Sequence, residues 1–455
     1  MLGHGEVPVA TRSVADGGVE ADPEELFGSV VAAGKAALAA AGAPAGAVAL
    51  ANQGETVLAW DRATGTPLSP AIVWQDRRAA AVCERLADRA AELTALTGLP
   101  LDPYFAAPKM TWLRENLTDG GVVTTTDTWL LHRLGGQYVT DAATASRTML
   151  LDLDAVTWSE AACAAFGLDA AALPAVADCA GVVGETAAFG PPLPIAGIAV
   201  DQQAALLAEG CLAPGDAKCT YGTGAFLLVT TGSAAARSSA GLSASVAWRL
   251  GGATTYCLDG QVYTAGSAVR WLAGLGVLAE PAGLDAAGRT VPDSGGVIFV
   301  PALAGLGAPF WQPGARGLLT GLHLGTEPGH LVRAVAEGIA ASVALLVSAA
   351  VSDMGRELTA LRVDGGLTRS RLLMQAQADL LQRPVLICRS ADATALGVAA
   401  LARLGLGDAA SAAEAVGAPE MDTVVEAVVE PAITADEAAE RLVAFRSALQ
   451  LALAG

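Results

Sequence analysis

Residues 196–228, AGIAVDQQAALLAEGCLAPGDAKCTYGTGAFLL, contain the side chains best suited to chemistry in this chain. Asp201 closes an apolar run and is followed by two amides, Gln202 and Gln203. A carboxylate between a strand and a helix sits where clefts open in α/β sheets, and there it can take a proton from a hydroxyl. The same Asp can equally cap a helix that starts at Gln202. Tyr221-Gly222-Thr223-Gly224 reads as a hairpin turn that offers backbone N–H groups and one hydroxyl to a phosphate. An ordinary β-turn has the same composition. Asp364-Gly365-Gly366 and the helix start at Gly266 are further places where a nucleotide can lie against backbone, although glycines there also serve packing alone. Glu55, Trp74 and Tyr104 can form a polyol pocket, the carboxylate accepting hydroxyl hydrogen bonds and the rings covering carbon, while Trp74 also suits a core position. Phosphoryl transfer to an alcohol needs a base, a phosphate cradle and usually Mg²⁺.

The elements that must position these residues follow from pattern. Asp22-Pro23-Glu24-Glu25 is a helix start, with Asp as N-cap and Pro at the first helical position, and Gly42 ends that helix. Residues 5–12, 47–51, 57–61 and 71–74 read as strands, and 76–96 as a helix. Residues 109–115 and 128–134 are helical, whereas 140–147, small and polar, read as a loop. Residues 193–200 form a strand feeding a helix at 202–209. Strands at 217–221 and 225–230 make a hairpin around Gly222-Thr223-Gly224, with further strands at 244–248, 254–258, 297–300, 361–363 and 385–387. Helices follow at 266–271, 331–351, 394–403 and 435–453, and another starts at Ser370. Hairpins mixed with strand–helix units predict an α/β protein with mixed sheets. With 455 residues, two domains are expected, 1–212 and 213–455.

Composition excludes several classes. A net charge of −19 argues against nucleic acid and anionic membrane surfaces as partners. The most apolar stretch, 338–351, is too short to span a bilayer and reads as a buried helix. Seven scattered cysteines, without C-x-x-C or histidine partners, read as reduced cytoplasmic thiols rather than a disulfide frame or zinc site. The N-terminus shows no apolar signal-peptide core.

Taken in order, the segments resemble the glycerol kinase group of the FGGY carbohydrate kinase family. The resemblance runs from about residue 6 to about 405. Its most specific pieces are 19–25, 52–78 (NQGETVLAWDRATGTPLSPAIVWQDRR), Leu101-Asp102-Pro103-Tyr104-Phe105, Ala145-Ser146-Arg147-Thr148-Met149-Leu150, 201–206, 221–224, 300–317 (VPALAGLGAPFWQPGARG), 361–366 and 394–397. It implies two ribonuclease-H-like domains of the actin/hexokinase type with a cleft between them. It implies ATP-dependent phosphorylation of a terminal hydroxyl of glycerol or a related small polyol. By position, Asp201 is then the general base and an Mg²⁺ ligand. Glu55, Tyr104 and Gln202 bind hydroxyls, and Trp74 and Phe226 line the carbon side. Gly222, Thr223, Gly224, Gly266, Gly365 and Gly366 meet the nucleotide, as do Arg270 and Ser370, which stand where the family usually has Gln and Asn. A homo-oligomer is compatible with this reading.

Three departures qualify the resemblance. The family's N-terminal strand and D-x-G-T hairpin, which contact the transferred phosphate and supply an Asp to the Mg²⁺ site, are missing ahead of Met1. A mis-assigned start codon accounts for this, and an inactive nucleotide- or polyol-binding protein is the alternative. Gly54 replaces an Arg that donates to substrate hydroxyls; a hydrogen bond to a charged group is worth roughly 1.5–3 kcal/mol, so glycerol binding is expected to weaken about ten- to a hundredfold. Gly54 is also expected to open space for a longer acceptor, of the erythritol, xylulose or ribulose type. Val200 replaces the Gly usual before Asp-Gln-Gln, adding bulk beside the base.

Overall fold

In the computed structural model, residues 2–389, 392–417 and 425–454 are described. The N-terminal part carries two sheets. One is antiparallel, in the order Thr11–Val14, Gly18–Ala21, Ala71–Ile72, Val57–Trp60, Val122–Thr125. The other places Leu193–Val200 between Ala180–Thr186, antiparallel, and Val48–Asn52, parallel. The C-terminal part is built on seven strands in the order Ser243–Leu250, Ala253–Val262, Ala225–Gly232, Ala217–Tyr221, Leu361–Asp364, Val385–Cys388, Val425–Val429. Within it the hairpin strands are antiparallel, while Ala217–Tyr221, Leu361–Asp364 and Val385–Cys388 run parallel. The fold is α/β with mixed sheets, as the pattern predicts.

Local signals explain most boundaries. The helix Pro23–Ala41 begins where Asp22 accepts hydrogen bonds from the N–H groups of Glu24 (2.9 Å) and Glu25 (3.3 Å). It ends at Gly42 in the left-handed region (φ 61°). Capping of this kind is worth about 1 kcal/mol. The long helix Pro328–Met354 is apolar enough to cross a membrane, but most of it is buried within the domain, packed against Arg371–Leu381 and the strand Ile298–Val300.

Three expectations fail for tertiary reasons. Residues 140–147 are not a loop. They form the strand Val139–Asp141 and the helix Ala142–Ser146, wholly buried from Thr140 onward. Asp141 caps that helix through the N–H groups of Ala143 and Thr144, and its small side chains let the helix pack deep inside. The first strand is Thr11–Val14 rather than 5–12. Residues 3–5 run instead along the helix Pro23–Ala41, so closely that a Cβ on Gly5 would lie 2.2 Å from the Ala33 carbonyl oxygen. The helix expected over 76–96 divides into Ala80–Arg85 and Ala90–Thr97, joined by a 3₁₀ turn. Asp76 leaves it altogether, to accept from Val19 N (2.8 Å) and pair with Arg78.

One helix–helix contact sets the position of the residue on which the sequence converges. The helix Ala393–Leu406 packs on the helix Asp201–Ala208 and on the strands Leu193–Val200 and Val48–Asn52. At the crossing, a Cβ on Gly397 would fall 1.9 Å from the carbonyl oxygen of Ala204. Only glycine permits that approach. Gly397→Val forces the two helices apart and is expected to lower stability by about 1–3 kcal/mol. Urea denaturation reads this directly; an unchanged midpoint would show that the crossing is not tight.

Candidate active site

Asp201 is the first residue of its helix, and Val200, with no side-chain cap, precedes it. The Asp201 carboxylate takes the N–H of the next residue, Gln202 (2.8 Å), not those of the second or third helical residues. It therefore is not the helix cap. Its backbone carbonyl accepts from Thr394 Oγ1 (3.1 Å), tying it to the helix that Gly397 seats. Burial pushes its pKa up to about 6, Glu55 adds to the rise, and Lys218 opposes it.

Around Asp201 lies a cavity of about 260 Å³ between the two parts of the chain. All six residues expected to bind an acceptor line it: Glu55, Trp74, Tyr104, Asp201, Gln202 and Phe226. Trp74 is half-buried and meets Tyr104 and Phe226 edge to face, with ring centres 5.6 and 5.9 Å apart, so it forms a wall rather than core. Gly222 and Thr223 reach the same cavity. Gly224, Gly266, Arg270, Gly365, Gly366 and Ser370 lie outside it, on the C-terminal part.

The glycines on that side divide into two kinds. Gly365 (φ 92°) packs on the backbone of Tyr221, where a Cβ would lie 2.5 Å from its carbonyl oxygen. Gly266 packs in the same way on Gly222, and Gly224 on Val262. These three join the hairpin turn, the helix Gly266–Gly274 and the Asp364-Gly365-Gly366 turn into one body. The helix's first amides are already used: Ala265 N and Ser267 N donate to the Thr223 carbonyl, and Gly266 N to that of Gly222. Gly222 and Gly366 have open space where a side chain would be, so a phosphate or nucleoside can approach their backbone. Arg270 is exposed on the same helix, beside Gly266. Ser370 is bound to the Asp285 carboxylate and caps the helix Arg371–Leu381.

Four charged residues of this site were not singled out from sequence. Arg147, 3% exposed, donates from Nε to Glu55 (2.6 Å) and from Nη1 to Asp259 (2.5 Å), both buried. Lys218, fully buried, donates to Gln202 Oε1 (2.5 Å) and Thr220 Oγ1 (2.7 Å). It fixes the Gln202 amide so that its nitrogen is the end beside Asp201. Lys109, also fully buried, donates to the carbonyls of Pro103 (2.9 Å), Tyr104 and Phe105 (2.6 Å), which locks the loop carrying Tyr104. A signal for Lys218 was present, since a Lys inside the apolar strand Ala217–Tyr221 requires a partner. Arg147 stands in one of the segments that carry the resemblance, but it received no role because residues 140–147 read as a loop.

The space expected at Gly54 is not open at its root. A Cβ there would lie 3.2 Å from Arg147 Cγ and from both methyl groups of Val200. Val200 and the Arg147 stem thus close the wall beside Gly54, and the two sequence departures compensate each other.

Comparison with known proteins gives the family. The FGGY family of carbohydrate kinases matches residues 1–208 with its N-terminal domain and 217–406 with its C-terminal domain. The chain belongs to this FGGY family. Among its relatives are the glycerol kinases of Thermus brockianus, 47% identical over 88% of this chain and 86% of the relative, and of Alkalilimnicola ehrlichii, 47% identical over 88% and 85%. Of solved structures, Plasmodium falciparum glycerol kinase with ADP superposes with a TM-score of 0.90 at 30% identity, covering 98% of this chain and 92% of that one. Gluconate kinase from Lactobacillus acidophilus, 21% identical with a TM-score of 0.88 over 98% and 92%, shares the fold. The FGGY kinases carry the two-domain, actin/hexokinase-like architecture expected from the resemblance.

Lys109→Met removes the donor to three buried carbonyls, and a loss of stability of about 3 kcal/mol is expected, since each stranded group costs roughly 1–3 kcal/mol. Chemical denaturation measures it. A variant as stable as the parent would mean that the loop carrying Tyr104 does not depend on this ammonium.

Proposed function

We propose that this FGGY kinase transfers the terminal phosphoryl group of ATP to a terminal hydroxyl of glycerol, giving glycerol 3-phosphate and ADP. The observation that carries the reading is the placement of Asp201. It stands in one small cavity together with Glu55, Tyr104 and Gln202 and with Gly222 and Thr223 of the hairpin turn. The glycerol kinase relatives support the choice of acceptor.

In the mechanism, Asp201 accepts the proton of the acceptor hydroxyl as its oxygen attacks the terminal phosphorus. The bond from that phosphorus to the bridging oxygen breaks, and ADP leaves with the electron pair. Trp74 and Phe226 cover the carbon chain and exclude water, while Glu55 accepts from hydroxyls away from the reacting one. The open backbone at Gly222 and Gly366 receives the nucleotide, with the Thr223 hydroxyl near its phosphates. Asp201 would also suit a Mg²⁺ ion, which commonly takes one or two carboxylates plus phosphate oxygens and water. Such an ion would neutralise phosphate charge. The seven unpaired cysteines support a reducing compartment, the cytoplasm.

The base must be ionised to act. With its pKa raised to about 6, roughly a tenth of Asp201 is ionised at pH 5. kcat/KM for glycerol is therefore expected to climb with pH through about 6 and then level off. Asp201→Asn should cut kcat by about 10²–10⁴-fold and abolish that limb. Turnover near that of the parent in the Asn variant would remove Asp201 from the role of base.

A further inference from the structure

The acceptor cavity has one end whose construction the reaction alone does not explain. At about 260 Å³ it falls below the usual range of roughly 300–1,000 Å³ for small-molecule sites. It must also admit the phosphoryl group. On the wall at Gly54, which contributes no side chain, the surface is made by the Val200 methyls and the Arg147 stem. Val200 itself is 3% exposed and immediately precedes Asp201, so its position is fixed relative to the base.

Arg147 brings a charge to this wall. Its Nε and Nη1 are held by Glu55 and Asp259, and Nη2 makes no hydrogen bond among the described residues. The Glu55 oxygen not bound to Arg147, Oε2, is likewise without a hydrogen bond among them. A fixed guanidinium donor beside a fixed carboxylate acceptor matches a hydroxyl, which both donates and accepts. Because the guanidinium is clamped by two carboxylates, it loses little freedom on binding a ligand.

We propose that Val200 and Arg147 together form the specificity wall of the acceptor site. Val200, packed against Gly54, limits the acceptor to a three-carbon polyol. Arg147 Nη2 donates to the acceptor hydroxyl farthest from the one phosphorylated. The inference rests on the polyol kinase reading and narrows its substrate class, setting four- and five-carbon acceptors aside.

The test is a panel of glycerol, 1,2-propanediol and erythritol with ATP. Propanediol lacks the far hydroxyl, and erythritol adds a carbon. The parent enzyme is expected to favour glycerol over propanediol by about ten- to a hundredfold in kcat/KM, the worth of one hydrogen bond to a charged group. Arg147→Lys, which keeps the charge but not the fork, should shrink that preference severalfold, mainly through the KM for glycerol. Val200→Ala and Val200→Gly should move the erythritol-to-glycerol ratio of kcat/KM upward by about tenfold. If Arg147→Lys does not fold, the parent's propanediol discrimination and the Val200 variants decide. A parent that turns over glycerol, with ratios unchanged within twofold in the variants, overturns the specificity wall and leaves the kinase reading standing. A parent that phosphorylates no polyol overturns both.

Discussion

The cavity around Asp201 depends on one buried cation, the guanidinium of Arg147. It lies between Glu55, in the N-terminal part, and Asp259, on the strand next to one edge of the C-terminal sheet. All three are nearly excluded from water. Burying one such charge alone costs several kcal/mol, and only close, directional pairing on both sides offsets that. The arrangement therefore requires the two parts of the chain to meet in one register. Glu55 is held in place from the same requirement, which keeps an acceptor group facing the cavity.

The other contacts across the joint repeat this logic on a smaller scale. Lys218 reaches from the C-terminal sheet to Gln202, and Thr394 reaches to the carbonyl of Asp201. Trp74 meets Phe226 across the cavity. Beneath them, Gly397 lets two helices touch backbone to backbone. Each interaction locates a residue next to Asp201 by fixing the element on which it rides. The burial they produce is also what raises the Asp201 pKa, so the same packing that builds the cavity also tunes this carboxylate.

Much of the fold was legible because its signals are local. Asp22 and Pro23 mark a helix start by hydrogen-bond geometry within one turn, and Gly42 marks its end. The apolar run to Val200 followed by Asp201 marks a strand–helix junction. The failures have one origin. Residues 140–147 look like a loop because small polar side chains lack periodicity; they become a buried helix because other elements surround them. Residues 5–10 carry strand-like composition, yet the nearby helix Pro23–Ala41 offers Gly3 and Gly5 a closer partner than any strand does.

The sequence by itself determined the α/β class, the family, the place of Asp201 at a strand–helix junction and six residues that share the cavity around it. Those follow from residue type and from the order of motifs along the chain. Only the tertiary structure decided which glycines are packed and which are open, and which carboxylates Arg147 pairs with. It also decided whether Gly54 leaves a hole. That last point turns on Val200 and Arg147, neither of them adjacent to Gly54 in sequence. Side-chain volume and charge pairing are settled between segments that meet only after folding, and no local pattern encodes that meeting.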